Sequence, residues 1–73
     1  MKLLHYLAKN EWSAPEGYKL DCRLGNLRIK ATEDGGHQAI KYDDKYGHLI
    51  VWEIDFAGEV PDAVIIATLE AAK

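Results

Sequence analysis

The sequence predicts an α+β fold: a four-stranded antiparallel β-meander packed on a C-terminal α-helix, with a short N-terminal helix or strand completing the core. Two glycine turns, Gly25-Asn26 and Asp34-Gly35, predict the meander, because each lies between segments in which apolar and polar residues alternate. A third observation predicts the helix, since Pro61 precedes apolar residues at helical spacing. We expect residues 1–73 to form a single small globular domain.

The first twelve residues fit two kinds of element. Leu3, Leu4, Leu7 and Ala8 recur at helical spacing, but the same apolar run would also suit a strand. We favour the helix. Residues 13–17 contain Pro15 and Gly17, which interrupt any regular element before the first strand.

The first hairpin is predicted around Gly25-Asn26, where a loop that opens with Gly suits a type II′ turn. This turn sets the pairing of the two flanking strands and therefore separates their side chains onto two faces. The inner pairs are Leu24 with Leu27, Cys22 with Ile29 and Leu20 with Ala31, and the outer pairs are Arg23 with Arg28 and Asp21 with Lys30.

The second turn, Asp34-Gly35, predicts a two-residue type I′ loop that sets Ile29 against Ile40 and Leu27 against Tyr42. The third connection is predicted as a five-residue loop over 43–47, with room for a β-bulge. It would bring Ile50 to face Ile40. The inward residues of the last strand are then Ile50, Trp52, Ile54 and Phe56, and the residues pointing elsewhere are His48, Leu49, Val51, Glu53 and Asp55.

The C-terminal helix is predicted from about Pro61 to Ala72, after Gly58 ends the fourth strand. Ile65, Leu69 and Ala72 form its apolar face. On another side of the predicted helix lie Asp62, Ile66, Glu70 and Lys73. Because one face of the sheet is apolar, this helix and the N-terminal segment are expected to cover it.

Composition indicates the cellular context. The chain has a single cysteine, Cys22, on the predicted inner face, where a packed thiol is expected, and this cysteine usage suits an intracellular protein. No apolar run approaches the roughly 20 residues that cross a bilayer, and the first residues lack the features of a signal peptide. We therefore expect a soluble cytoplasmic monomer that does not associate with membranes.

The charge distribution leaves a second functional hypothesis open. A net charge of −3 argues against general affinity for nucleic acid, which depends on an excess of Lys and Arg, so direct contact with nucleic acid is not expected. A basic stripe is nevertheless predicted on the outer face of the first three strands. It is either a solvated face that guards exposed strands or the binding surface of a small RNA- or DNA-binding module. Its members are Lys19, Arg23, Arg28, Lys30 and Lys41.

Catalytic and metal-binding patterns are not predicted. The possible metal ligands His5, Cys22, His37 and His48 contain no closely spaced pair. The paired carboxylates fall on turns or beside the basic stripe, where turn chemistry and ion pairing explain them. No nucleophile triad, phosphate loop or nucleotide fingerprint occurs in the chain. We therefore expect a protein that is not an enzyme and uses no cofactor.

The residues expected to bind a partner are apolar side chains on the wrong face. Leu49 and Val51 alternate outward with Glu53, and Ile66 lies among the polar residues of the last helix. With Ala39, Leu49 and Val51 would form a patch rimmed by Lys41, Glu53 and His37. An apolar centre with a charged rim is typical of a protein interface. The alternative is that the N-terminal segment folds across this patch and buries it.

The whole chain resembles small bacteriophage early regulators, from Met1-Lys2-Leu3-Leu4-His5-Tyr6 to Leu69-Glu70-Ala71-Ala72-Lys73. Its size and acidic character are similar to those of the Xanthomonas-phage type of host RNA polymerase inhibitor. The resemblance carries no diagnostic motif and assigns no functional residue. It implies a protein in the host cytoplasm that binds bacterial RNA polymerase, inhibits transcription initiation and promotes antitermination.

Overall fold

The computed structural model describes residues 1–13 and 20–73, and in them a four-stranded antiparallel sheet carries two helices on one face. The elements are α1 (Leu3–Lys9), β1 (Asp21–Leu24), β2 (Leu27–Ala31), β3 (His37–Tyr42), β4 (Ile50–Phe56) and α2 (Asp62–Ala72). The strands lie side by side in chain order, so the predicted α+β meander is confirmed. Neither helix is long and apolar enough to cross a membrane, and the described residues contain no other helix that is.

The first hairpin has the predicted register. Cys22 pairs with Ile29 and Arg23 pairs with Arg28. Gly25 has a φ of +58°, whereas Asn26 does not have a positive φ, as a type II′ turn requires. The inner face defined by Cys22 and Ile29 is buried, with exposed fractions of 2% and 0%.

The second turn is longer by one residue than predicted, and the register of β3 is therefore shifted. The Thr32 N–H donates to Gly36 O at 3.0 Å, so three residues lie in the loop, and Gly35 takes a φ of +86°. This is a turn followed by a left-handed residue, the other common loop for an Asp-Gly sequence. Ile29 now pairs with Ala39, and the predicted pairing of Ile29 with Ile40 is wrong.

The shift exchanges the two faces of β3. Ala39, predicted to lie outward, is fully buried beneath the helices, while Ile40 pairs with Arg28 and Glu53 on the opposite face. Lys41 pairs with Leu27 and Trp52, so it lies on the helix-covered face and not in the outer basic stripe.

The third connection spans residues 43–49 and is followed by a β-bulge. Lys41 pairs with Trp52, but its neighbour Tyr42 pairs with Ile50, which leaves Val51 as the extra residue of β4. The inward positions of Trp52, Ile54 and Phe56 agree with the prediction, since they share pairs with inner-face residues of β3. The predicted inward position of Ile50 opposite Ile40 is wrong.

Both helices pack on the inner face and are bonded to each other. The N-terminal segment is a helix, as favoured from its spacing, and α2 begins one residue later than predicted, with Pro61 as its N-cap. Leu3 N–H donates to Asp62 Oδ2 at 2.9 Å, and Tyr6 O–H donates to Glu70. The buried cluster contains Leu3, Tyr6, Leu7, Trp12, Cys22, Leu27, Ile29, Ala39, Phe56, Ile65 and Leu69.

Candidate protein interface

Three consecutive aliphatic side chains are exposed where the chain enters β4. Leu49, Ile50 and Val51 have exposed fractions of 49%, 52% and 56%. We call these three residues the apolar ridge. Scattered exposed aliphatic residues are ordinary on protein surfaces, but a run of three is a folding liability unless it serves a function.

The ridge is held by an ordered turn. Asp43 N–H donates to Leu49 O at 2.8 Å, and the Asp43 carboxylate accepts the N–H groups of Lys45 and Tyr46, each at 2.8 Å. These backbone donors hold the pKa of Asp43 below its usual value, and the N–H of Tyr46 has a larger effect than that of Lys45. The bulge at Val51 then places consecutive residues of the strand on the surface, since the normal alternation is interrupted there.

The sheet has two edge strands, β1 and β4. The free edge of β1 is covered by another segment of the chain, and that of β4 is open among the described residues. Ser13 N–H donates to Arg23 O at 2.9 Å, and Arg23 N–H donates to Ser13 Oγ at 2.8 Å, so the middle of β1 is satisfied by the segment after α1. Among the described residues, β4 has β3 as its only strand neighbour. A row of main-chain N–H and C=O groups is therefore free along β4.

The hydrogen-bond pattern identifies which residues supply these free groups. Tyr42 N–H donates to Asn26 O across β2, and successive residues of a strand direct their main-chain groups to opposite sides. Lys41 and Ala39 therefore bond β4, through their partners Trp52 and Ile54. The intervening residues, Glu53 and Asp55, direct their N–H and C=O groups away from the sheet.

An apolar groove lies between β4 and α2 on the inner face. It has a volume of about 710 Å³, with Trp52 and Lys41 on the sheet side. The helix contributes residues that are mostly small, namely Ala63, Val64, Ala67, Thr68, Ala71 and Ala72. Ile54 on β4 is 40% exposed and Val64 on α2 is 49% exposed.

The outer side of β4 is acidic. Glu53 and Asp55 are exposed, and Gln38 Nε2 donates to Glu53 at 3.4 Å. Among the described residues, the ion pairs are Asp21 with Arg28 and Glu70 with Lys73, so neither carboxylate of β4 has a cationic partner there.

The predicted basic stripe is interrupted. Arg28 donates to both carboxylate oxygens of Asp21, at 2.8 and 2.5 Å, which lowers the pKa of Asp21. Arg23 lies over the ring of Tyr42, 5.6 Å from its centroid, and Lys41 is on the other face. Lys19 lies outside the described residues. Of the predicted stripe, Arg23 on β1 and Lys30 on β2 are left without an ion pair among the described residues, and two separated cations are a poor surface for phosphates.

The structure separates the residues predicted to bind a partner. Leu49, Val51 and Glu53 share the exposed part of β4 and the turn before it, and α1 packs beside α2, away from them. Lys41 donates to Ala72 O at 3.5 Å within the groove, and Ala39 is buried.

Ile66 is half-buried against the core. Its predicted exposure fails because α1 covers that side of α2, a tertiary contact that periodicity does not reveal.

Sequence reasoning missed Ile50 and Ile54 as surface residues. The inward prediction for Ile50 depends on an uninterrupted alternation along β4, which the bulge at Val51 breaks. Ile54 does lie on the inner face, but the two helices leave it 40% exposed while they cover Phe56 of the same strand. A sheet of four strands under one helix of 11 residues and one of 7 residues could have indicated this shortage of cover.

The chain was also compared with known proteins. No protein-family model, curated protein or solved structure matches it.

Proposed function

We propose that this chain is a non-enzymatic, protein-binding regulator of the cytoplasm that acts through the apolar ridge and β4. The observation that carries the proposal is the run of three exposed aliphatic residues, Leu49 to Val51, on an ordered turn beside an open strand. Apolar residues bordered by Glu53 and Asp55 have the composition of an interface core and its polar rim.

Bacterial RNA polymerase is the partner that we propose. The support for this choice is the resemblance of the chain, from its first residues to its last, to small phage early regulators. In this proposal the chain occupies a surface of the polymerase, inhibits initiation at promoters and promotes read-through at terminators. The acidic balance of the chain, with a net charge of −3, is compatible with contact to a protein surface in preference to DNA.

The test uses a double variant, Leu49→Ser with Val51→Ser, and purified bacterial RNA polymerase. Interface energy is concentrated in a few buried apolar anchors, each worth more than about 1 kcal/mol, so affinity should fall by at least about tenfold. The matched control is Leu4→Ser, which removes an equally apolar side chain that is 64% exposed on α1. Both proteins should keep the thermal midpoint of the parent chain.

Binding is measured by fluorescence anisotropy of the labelled chain, and function by transcription from a promoter through a terminator. We expect the parent and the Leu4→Ser chain to bind, to reduce initiation and to increase read-through, and the double variant to do none of these. Absence of binding by the parent chain refutes the choice of polymerase. Unchanged binding by a folded double variant refutes the ridge as the interface.

A further inference from the structure

We infer that the open edge of β4 receives an extended, basic and apolar segment of the partner protein as a fifth strand of the sheet. This inference rests on the proposed function, because it specifies how a protein partner is held. An exposed sheet edge binds peptides through main-chain hydrogen bonds, while alternate side chains of the added strand supply specificity.

The main-chain part is supplied by Glu53 and Asp55, whose N–H and C=O groups point away from β3. Natural sheets protect such edges with lysines, prolines or covering segments. The opposite edge has such a cover, since Ser13 bonds both main-chain groups of Arg23. In the part of the chain that the structure describes, the protection of β4 is limited to the bulge at Val51 and to its two carboxylates, so residues 52–56 stay available for pairing there.

The outer side chains of the added strand would lie beside Glu53 and Asp55. These two exposed carboxylates have no cationic partner among the described residues, so Lys or Arg at alternate positions of the incoming strand would pair with them. Opposite charges on directly facing residues stabilise a strand pair, and like charges destabilise it. The outer half of the segment is therefore expected to be basic.

The inner side chains of the added strand would lie next to Ile54 and over the groove beside α2. Ile54 is 40% exposed and Val64 is 49% exposed, so both gain cover from apolar side chains entering there. The groove of about 710 Å³ accommodates them because its helical wall is built mainly from Ala63, Ala67 and Ala71.

Repulsion between like charges disfavours a second copy of the chain as the strand that pairs with β4. Antiparallel pairing of β4 with itself would bring two copies of Glu53 and two of Asp55 into one ribbon, between chains that each carry a net charge of −3. A basic segment neutralises the same carboxylates. The observations therefore favour a heterologous partner.

The probe is a nine-residue peptide of alternating Lys and Val with blocked ends, titrated into the ¹⁵N-labelled chain. Amide hydrogen exchange is recorded with and without saturating peptide. We expect exchange at Glu53 and Asp55 to be fast in the free chain and to slow at least tenfold in the complex. Exchange at Trp52 and Ile54 should be slow in both, because these amides already bond β3.

Two control peptides separate strand addition from adhesion of a cationic peptide. A peptide with Glu in place of Lys should not bind. A peptide with the same side chains but N-methylated at alternate residues should lose at least tenfold in affinity, because its donors are blocked along one edge. Equal binding by the N-methylated peptide, in both possible phases of methylation, overturns the inference.

The charge assignment is tested in the protein. Glu53→Lys with Asp55→Lys should lose at least tenfold in affinity for the Lys peptide and gain affinity for the Glu peptide. The matched control, Glu11→Lys with Glu59→Lys, changes the net charge equally at exposed sites outside β4 and should lose less than threefold. Equal loss in both double variants overturns the assignment of the basic segment to β4, as does a stable dimer of the parent chain in sedimentation.

Failure of this inference can be distinguished from failure of the proposed function. If purified polymerase binds through the apolar ridge while Glu53 and Asp55 exchange as fast as in the free chain, strand addition is refuted and the proposed function stands. If the Lys peptide binds with the expected protection but polymerase does not bind, strand addition stands and the choice of polymerase as the partner is refuted.

Discussion

Replacement of Ile29 by Ala is the most direct test of the fold. Ile29 is fully buried at the centre of the inner face, between Cys22 on β1 and Ala39 on β3. Loss of its three outer carbon atoms costs about 2.4 kcal/mol, at about 0.8 kcal/mol for each buried carbon. Both flanking residues are small and cannot fill the cavity, so a total near 3 kcal/mol is expected, within the range of about 2–5 kcal/mol for such substitutions.

This loss is large for a chain of this length. At about 0.05–0.15 kcal/mol per residue, 73 residues have a total stability of about 4–11 kcal/mol. A loss of about 3 kcal/mol corresponds to a fall of about 12–24 °C in thermal midpoint, followed by circular dichroism. Lys30→Ala, on the opposite face of the same strand, is the control and should change the midpoint little. Similar losses in the two variants would refute the assignment of the faces.

Three further predictions concern the turns and the outer face. The sequence alone predicts that Arg28→Ala changes stability little, because Arg23 lies opposite, but its bonds to Asp21 now predict a loss of up to about 1 kcal/mol, measured by urea unfolding. The pKa of Asp21 is lowered in the folded chain, so the Asp21–Arg28 pair stabilises the fold at pH values above the unfolded pKa of 3.8. This stabilisation is lost as the pH falls through the folded pKa. The Asp21→Asn chain should therefore lose less stability in acid than the parent chain. Gly25→Val should destabilise the chain by about 1–2 kcal/mol, because Gly25 has a φ of +58° and no described atom lies within 4 Å of its Cβ position, so backbone strain is the effect that acts. An unchanged thermal midpoint would contradict this.

The strand register was predictable where the turn sequence suits a single loop length. Gly25-Asn26 set the pairing of β1 and β2, and the alternation around it agreed with burial. Asp34-Gly35 suits both a two-residue and a three-residue loop, and the choice depends on tertiary contacts. At Gly36 an added Cβ would lie 2.2 Å from Phe56 O, so this close approach to β4 belongs to the longer loop that the structure adopts.

The exposure of Leu49 and Val51 was predictable, but the burial of Ala39 and the surroundings of the patch were not. Leu49 and Val51 stood out because they interrupt a polar face, which local sequence shows. The predicted rim position of Lys41 depends on the register of β3, and the predicted exposure of Ile66 depends on an uncovered α2; both are decided by long-range packing. Ser13 covers the β1 edge through a contact that no sequence pattern indicates, and among the described residues β4 is then the edge strand without such a cover.

The most direct test of the central claim is a methyl cross-saturation footprint of the labelled chain bound to purified bacterial RNA polymerase. Binding through β4 predicts strong saturation of the methyl groups of Leu49, Ile50, Val51 and Ile54. It predicts little at Leu4, which is more exposed than any of them but lies on α1. A footprint centred on Leu4, with the methyl groups of the ridge unaffected, would contradict the assignment of function to this surface.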